Sequence, residues 1–151
     1  MQKKLVIFLS VFSLLLALVY YIPRSYQQTI TAACCQDCPI SLKVSEEFKK
    51  RHPKADIRLL QAAAPEQYSE WLAEQFVAGS EPDLFLIPRK DLEKYISLGA
   101  LMDLSLLTEK PDAPCYALTL QDKHGSPLLF GISARAKYPR LTFELLQALL
   151  H

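Results

Sequence analysis

The cysteines are the residues of this chain whose type and spacing could do chemistry. Cys34, Cys35 and Cys38 occupy a window of five positions, and Pro39 follows directly. Because a helix is predicted to begin near Pro39, the partial positive charge of its N-terminus would lower the pKa of a thiol there. In a redox interpretation, Cys35 is the thiol that attacks a partner's disulfide, and Cys38 is the thiol that resolves the resulting mixed disulfide. In a structural interpretation the cluster forms one disulfide, and Cys115 is available for another.

Other catalytic and metal chemistries lack a matching pattern. A zinc site of four cysteines would need Cys115, which is distant in sequence and has no paired ligand. The histidines have no metal-ligand spacing, and no serine–histidine–acid order or phosphate-binding glycine loop occurs. Glu46 and Glu47 are adjacent and would point in different directions on a helix. We therefore expect no catalytic residue, no metal and no cofactor, and a protein that is not an enzyme.

Charge and length limit the class of partner. The 151 residues contain 17 basic and 16 acidic side chains, which gives a net charge of +1 without a basic stripe. A nucleic-acid partner is therefore not expected. The four glycines are each expected at a turn. The part that follows the N-terminal segment has room for one domain with a modest core.

Residues 1–24 predict a signal anchor. Two lysines precede the uncharged apolar run 5–22, which as a helix would span about 27 Å, close to the thickness of a bilayer core. This length favours an uncleaved anchor, although Thr31-Ala32-Ala33 would suit signal cleavage. The lysines before the run, against Arg24 after it, place the N-terminus inside. We predict a single-pass protein of the cell membrane with its body on the extracytoplasmic side.

Strand and helix patterns alternate along the rest of the chain. A tether and first strand are expected at 25–33, and the α/β domain at 34–151. Within it, helices are predicted at 39–51, 65–78 and 91–97, and strands at 55–60 and 83–87. This order predicts an α/β fold with right-handed crossovers and a mainly parallel sheet.

The tail departs from this alternation. Residues 115–121 and 128–133 predict two strands of a hairpin, joined by a turn that ends at Gly125. Residues 139–150 predict a terminal helix with a leucine stripe. That stripe is either core or a surface for a partner.

Several motifs of the chain resemble one family. They are Phe48-Lys-Lys-Arg-His-Pro, Gly79-Ser-Glu-Pro-Asp-Leu-Phe-Leu-Ile, Tyr95-Ile-Ser-Leu-Gly-Ala-Leu and Asp103-Leu-Ser. In this order they resemble the first lobe of family 1 bacterial extracellular solute-binding proteins, the capture subunits of ABC importers. The resemblance covers residues 29–107, and residues 130–140 look like the family's last strand and C-terminal helix. It implies a truncated, periplasmic-binding-protein-like single lobe, a sugar-like small solute, and importer membrane subunits as partners.

The resemblance and the topology together indicate a ligand edge. Ligands of open α/β sheets gather at the carboxyl ends of parallel strands, here residues 33–37, 62–66 and 88–91. In the family, polar residues that contact sugar often follow the third strand. The candidate ligand-binding residues are Asp37, Glu66, Arg89, Lys90 and Asp91. The competing interpretation of the last three is a solvated helix start that Asp91 caps.

Two alternative functions stay open. The segment Cys35-Gln-Asp-Cys38-Pro is similar to the redox motif of thioredoxin-like proteins, which would make the chain a thiol–disulfide redox protein. The other alternative is a docking module of a membrane complex that binds no ligand. We favour solute capture, because the motifs of the first lobe extend over most of the soluble part.

Overall fold

The computed structural model describes residue 13 and residues 27–35, 38–61, 64–108, 113–122 and 124–150. Five β-strands and four α-helices alternate over much of this part. They are β1 (Gln28–Cys34), α1 (Leu42–Arg51), β2 (Ala55–Gln61), α2 (Tyr68–Ala78), β3 (Leu84–Ile87), α3 (Leu92–Ser97), β4 (Leu118–Gln121), β5 (Pro127–Ile132) and α4 (Pro139–Ala148). Short 3₁₀ helices occupy Pro65–Gln67, Arg89–Asp91 and Leu104–Leu107.

The predicted anchor, residues 1–24, lies outside the described residues except for residue 13. None of the helices in the described part has both the length and the apolarity needed to cross a membrane.

The described strands form one mixed sheet in the order β2-β1-β3-β5-β4. β1 is parallel to β2 and to β3, whereas β5 is antiparallel to β3 and to β4. The predicted α/β class is confirmed, but the prediction of a mainly parallel sheet is wrong. The reason is that β5, one strand of the predicted hairpin, pairs antiparallel with β3, so the hairpin joins the sheet that the parallel strands form. β1 lies between β2 and β3, so the segment predicted as tether and first strand supplies a central strand.

Residues of the apolar patterns form the core as expected. All four residues of β3 are buried, as predicted for a strand covered on both faces. In α4, the predicted leucine stripe packs against the core, because Leu145 is buried and Leu141 and Leu149 are partly buried against it. Helix α1 begins later than predicted, where the Ser41 hydroxyl accepts a hydrogen bond from the amide of Val44 at 3.3 Å.

Asp103, an acidic residue of the family-like motifs, makes hydrogen bonds that hold two segments of the fold together. One carboxylate oxygen of Asp103 accepts hydrogen bonds from the amides of Ser105 and Cys115, each at 3.0 Å. These bonds, that of Cys115 first, hold the pKa of Asp103 below its ordinary value of 3.8. Asp103 therefore joins the 3₁₀ helix at Leu104–Leu107 to the segment that leads into β4.

Candidate functional site

A pocket of about 250 Å³ opens at the carboxyl ends of β1 and β3. Its wall comes from the loops after β1, β2 and β3 and from the start of β5. The lining residues are Cys35, Pro65, Tyr68, Ser69, Leu86, Ile87, Pro88, Arg89, Pro127, Leu128 and Leu129. The pocket therefore lies at the strand edge where ligands of open α/β sheets bind.

Tyr68 fixes one side of this pocket. Its single hydroxyl proton is shared between the carbonyl of Leu86, at 2.9 Å, and the carbonyl of Ala33, at 3.2 Å, and its side chain is buried. Burial raises the pKa of Tyr68 above its ordinary value, and the nearby Cys35 adds to this shift. The phenol therefore stays protonated and connects the ends of β1 and β3.

Sequence reasoning missed Tyr68 as part of the site. Its position suited the apolar side of α2, and nothing in the local pattern indicated two long-range hydrogen bonds to main-chain carbonyls. The lining residues of β5 were missed for a similar reason, because only the tertiary pairing of β5 with β3 brings Leu128 and Leu129 to this edge.

One of the predicted ligand-binding residues lines the pocket. Arg89 is exposed and lines the pocket, where its guanidinium offers several N–H donors. Glu66 and Lys90 are exposed nearby in the chain but do not line it. Asp37 lies outside the described residues. Of the predicted residues that the structure describes, Arg89 is therefore the one that lies at this pocket.

Asp91 is half-buried, and its charge affects the pKa of Tyr95. Its side chain makes no hydrogen bond that caps α3, so the capping role considered from sequence is not seen. Burial raises the pKa of Tyr95 to about 12, and the charge of Asp91 contributes to this shift. Asp91 does not line the pocket.

The cysteine cluster forms a disulfide between Cys34 and Cys38, with the two Cα atoms 5.6 Å apart. The pairing of Cys35 with Cys38 considered from sequence is therefore corrected. Successive side chains of extended backbone point to opposite faces, so Cys34 and Cys35 cannot both meet Cys38. Cys34 is buried, whereas Cys35 lines the pocket. Cys115 is a free cysteine whose thiol contacts the carbonyl of Ala117 at 3.4 Å.

The wall of this pocket is mostly apolar. Among the described lining residues, Arg89 alone has a permanently charged side chain, and no carboxylate or imidazole is present as a general base. Within the described ranges, no group of His, Cys, Asp and Glu side chains is arranged to hold a metal ion. Proline and aliphatic side chains form most of the wall, as in many small-molecule sites.

No protein-family model matches the chain, and no curated protein sequence matches it. Solved structures are similar over part of its length. An ABC substrate-binding protein from Listeria monocytogenes, in complex with cycloalternan, is 25% identical with a TM-score of 0.49, over 57% of this chain and 22% of that one. A family 1 extracellular solute-binding protein from Bifidobacterium longum subsp. infantis is 18% identical with a TM-score of 0.49, over 62% of this chain and 27% of that one.

A third similar structure is apo RafE from Streptococcus pneumoniae, 22% identical with a TM-score of 0.45, over 56% of this chain and 22% of that one. These neighbours are solute-binding proteins. The sequence motifs resemble the same class of protein. This chain spans about a quarter of the length of the proteins that it matches, between 22% and 27%.

Proposed function

We propose that this protein is an outward-facing binding protein, anchored by residues 1–24, that captures a sugar-like solute for an ABC importer. The solute class and the importer are implied by the family-like motifs of the sequence. The binding site is the pocket at the carboxyl ends of β1 and β3. The sheet and helices that the structure describes form one wall of this site.

The observation that carries the proposal is the convergence of three loops on one pocket. Cys35 follows β1, Pro65 follows β2 and Arg89 follows β3, and all three line the same cavity. Separate parallel strands thus end at a common concave surface, which is the arrangement that binds ligands in open α/β sheets.

The wall chemistry fits a carbohydrate. The apolar face of a sugar ring can pack on the proline and aliphatic side chains, such as Pro88 and Leu128, which line the pocket. The Arg89 guanidinium can donate to neighbouring ring hydroxyls through charge-assisted hydrogen bonds. A volume of about 250 Å³ lies just below the usual range for ligand pockets, so one sugar unit would enter it and the rest of an oligosaccharide would extend outward.

The disulfide of this structure argues against the redox alternative. It required Cys35 to attack and Cys38 to resolve, but Cys38 is bonded to Cys34, whose side chain is buried. Cys38 is therefore not available as the resolving thiol for Cys35 while this disulfide is intact. We therefore propose binding and not thiol exchange as the function.

The test is a thermal-shift screen of the full chain in detergent micelles against monosaccharides and oligosaccharides. A solute at a hundred times its dissociation constant should add about 2.7 kcal/mol to the stability of the folded protein. Arg89→Gln should weaken that shift, whereas Lys90→Gln, its exposed neighbour outside the pocket, should leave it unchanged. A cooperative melt that no carbohydrate moves would contradict the proposal, and so would a shift that Arg89→Gln does not reduce.

A further inference from the structure

A second pocket, of about 290 Å³, lies between α2, α3 and the segment that follows β5. In the part of the chain that the structure describes, it shares no lining residue with the first pocket. Its lining residues include Phe76, Val77, Glu81, Lys94, Leu98 and Arg135. We call it the α2–α3 pocket. Its size suits a small ligand.

Glu81 is the unusual member of the α2–α3 pocket. Its side chain is only 6% exposed, although a carboxylate is rarely buried without partners. Its Oε2 atom accepts no hydrogen bond from any residue that the structure describes. Burying a polar group without a hydrogen bond is costly, so such a group requires an explanation. A ligand that donates hydrogen bonds to Glu81 would supply one.

The contact of Glu81 with Arg135 does not satisfy either group. Arg135 Nη1 lies 3.4 Å from Glu81 Oε1, longer than the roughly 2.7–2.9 Å of a charge-assisted hydrogen bond. The Arg135 side chain is 75% exposed, so it can move without disturbing the core. Lys94 contributes a second cation to the wall. The pocket thus presents one buried carboxylate beside two exposed cationic side chains.

Most of the remaining wall is apolar, and its aromatic part is packed against the core. The Phe76 ring packs against Phe85, with centroids 5.3 Å apart, and against Tyr95, with centroids 5.2 Å apart. Val77 is 90% exposed and Leu98 is 68% exposed, and both lie at this pocket. Exposed aliphatic side chains around a cavity gain free energy when an apolar group covers them.

We propose that the α2–α3 pocket binds a small α-amino acid with an apolar side chain. The ammonium group donates to Glu81, the carboxylate pairs with Arg135, and the side chain packs on Phe76. A ligand with only an ammonium group would be repelled by the cations Lys94 and Arg135. A ligand with only a carboxylate would be repelled by Glu81. A zwitterion with an apolar body matches the charges and the wall together.

The first test is calorimetric titration of L-leucine into the full chain in detergent micelles. We expect saturable binding at one site, weakened at least about tenfold by Glu81→Gln, because the amide loses the charge that pairs with ammonium. Arg135→Gln should weaken it similarly, and its exposed position preserves the fold if Glu81→Gln does not. The matched controls Glu74→Gln and Arg140→Gln change exposed residues outside the pocket and should bind leucine as the unchanged chain does.

The second test uses leucine analogues that lack one charge. Isoamylamine has no carboxylate and isocaproate has no ammonium group, so each should bind at least about tenfold more weakly than leucine. Absence of leucine binding would overturn the proposal. Equal binding of either analogue, or leucine binding that neither Glu81→Gln nor Arg135→Gln weakens, would also overturn it. Carbohydrate binding by the same variants reports separately on the first pocket.

Discussion

Thr31 of β1 and Asp83, which precedes β3, exchange hydrogen bonds although they lie 52 positions apart. The Thr31 hydroxyl donates to Asp83 Oδ2 at 2.7 Å and accepts from the Asp83 amide at 3.0 Å. The Thr31 amide also donates to Asp83 Oδ2, at 2.8 Å. The other carboxylate oxygen accepts from the Lys137 amide at 3.1 Å. Asp83 therefore connects β1, β3 and the segment before α4 at the edge opposite the first pocket.

We expect Thr31→Val to lower the free energy of unfolding by about 1–3 kcal/mol, because it removes the hydroxyl and leaves the partly buried Asp83 with unmet hydrogen bonds. Thr29→Val is the matched control, since Thr29 lies two positions earlier on the same strand and is also half-buried. Urea denaturation of both variants measures the difference. Equal losses for the two would show that the Thr31–Asp83 bonds contribute little.

Tyr68→Phe removes the corresponding connection at the carboxyl edge. We expect a loss of about 1–2 kcal/mol in unfolding free energy, because the hydroxyl bonds to Leu86 and Ala33 disappear while the ring still fills its space. Carbohydrate affinity should also fall, since the two strand ends that shape the pocket are less constrained. Tyr116→Phe, at a half-buried tyrosine, provides the control. A variant as stable as the unchanged chain would contradict this role.

Alkaline pH should destabilise the fold through Tyr95. Burial, with a contribution from Asp91, raises its pKa from 10.0 to about 12, so the unfolded chain loses this proton first. The stability from the protonated phenol is complete below pH 10 and is lost as pH rises towards about 12. Tyr95→Phe should therefore show a shallower loss of stability over this window in urea titrations. An unchanged slope would mean that Tyr95 does not cause the alkaline loss.

Local signals in the sequence predicted most of the elements. Helix α2 ends where Gly79 adopts a left-handed conformation with φ of +68°, as its position after an apolar helix pattern indicated. The short apolar run before Pro88 predicted a doubly covered strand, and β3 is buried throughout. The hairpin of β4 and β5 was also predicted, because strand patterns flank a turn that contains Gly125. These features depend on neighbours in sequence.

Features that depend on residues distant in sequence were harder to predict from the sequence. The mixed sheet arises because β5 joins β3, a pairing for which neither strand has a local signal. Cys34 and Cys35 both had a spacing to Cys38 that allowed a disulfide, and only the direction of each side chain decided between them. For the site, the strand edge was predictable from topology. Tyr68 and the β5 wall required the tertiary structure.

Loss of the disulfide should have a measurable but limited effect. The bond joins residues separated by 4 positions, so the chain-entropy model gives a stabilisation of roughly 2 kcal/mol. Cys38→Ser should lower the unfolding free energy by that amount, and a phosphine reductant should then have no further effect. Cys115→Ser is the matched control, because Cys115 forms no disulfide. If reductant destabilises Cys38→Ser as much as the unchanged chain, another disulfide must be responsible.

Gly131 tests how closely β5 packs against its neighbours. It was expected at a turn, but it lies inside β5 opposite Phe85. A Cβ atom there would come within 2.6 Å of both Ile87 Cδ1 and Leu101 Cδ2. We expect Gly131→Ala to lower the unfolding free energy by about 1–3 kcal/mol through overpacking.

Gly79→Ala provides the contrast, because a Cβ atom there meets nothing within 4 Å and the cost of about 1 kcal/mol comes from the left-handed backbone. Leu101→Ala separates the two mechanisms, because it removes one of the crowding atoms. In a double-mutant cycle it should offset part of the loss in Gly131→Ala, while its effect should add to that of Gly79→Ala. Additive losses at both glycines would show that contact with Leu101 does not contribute to the cost of Gly131→Ala.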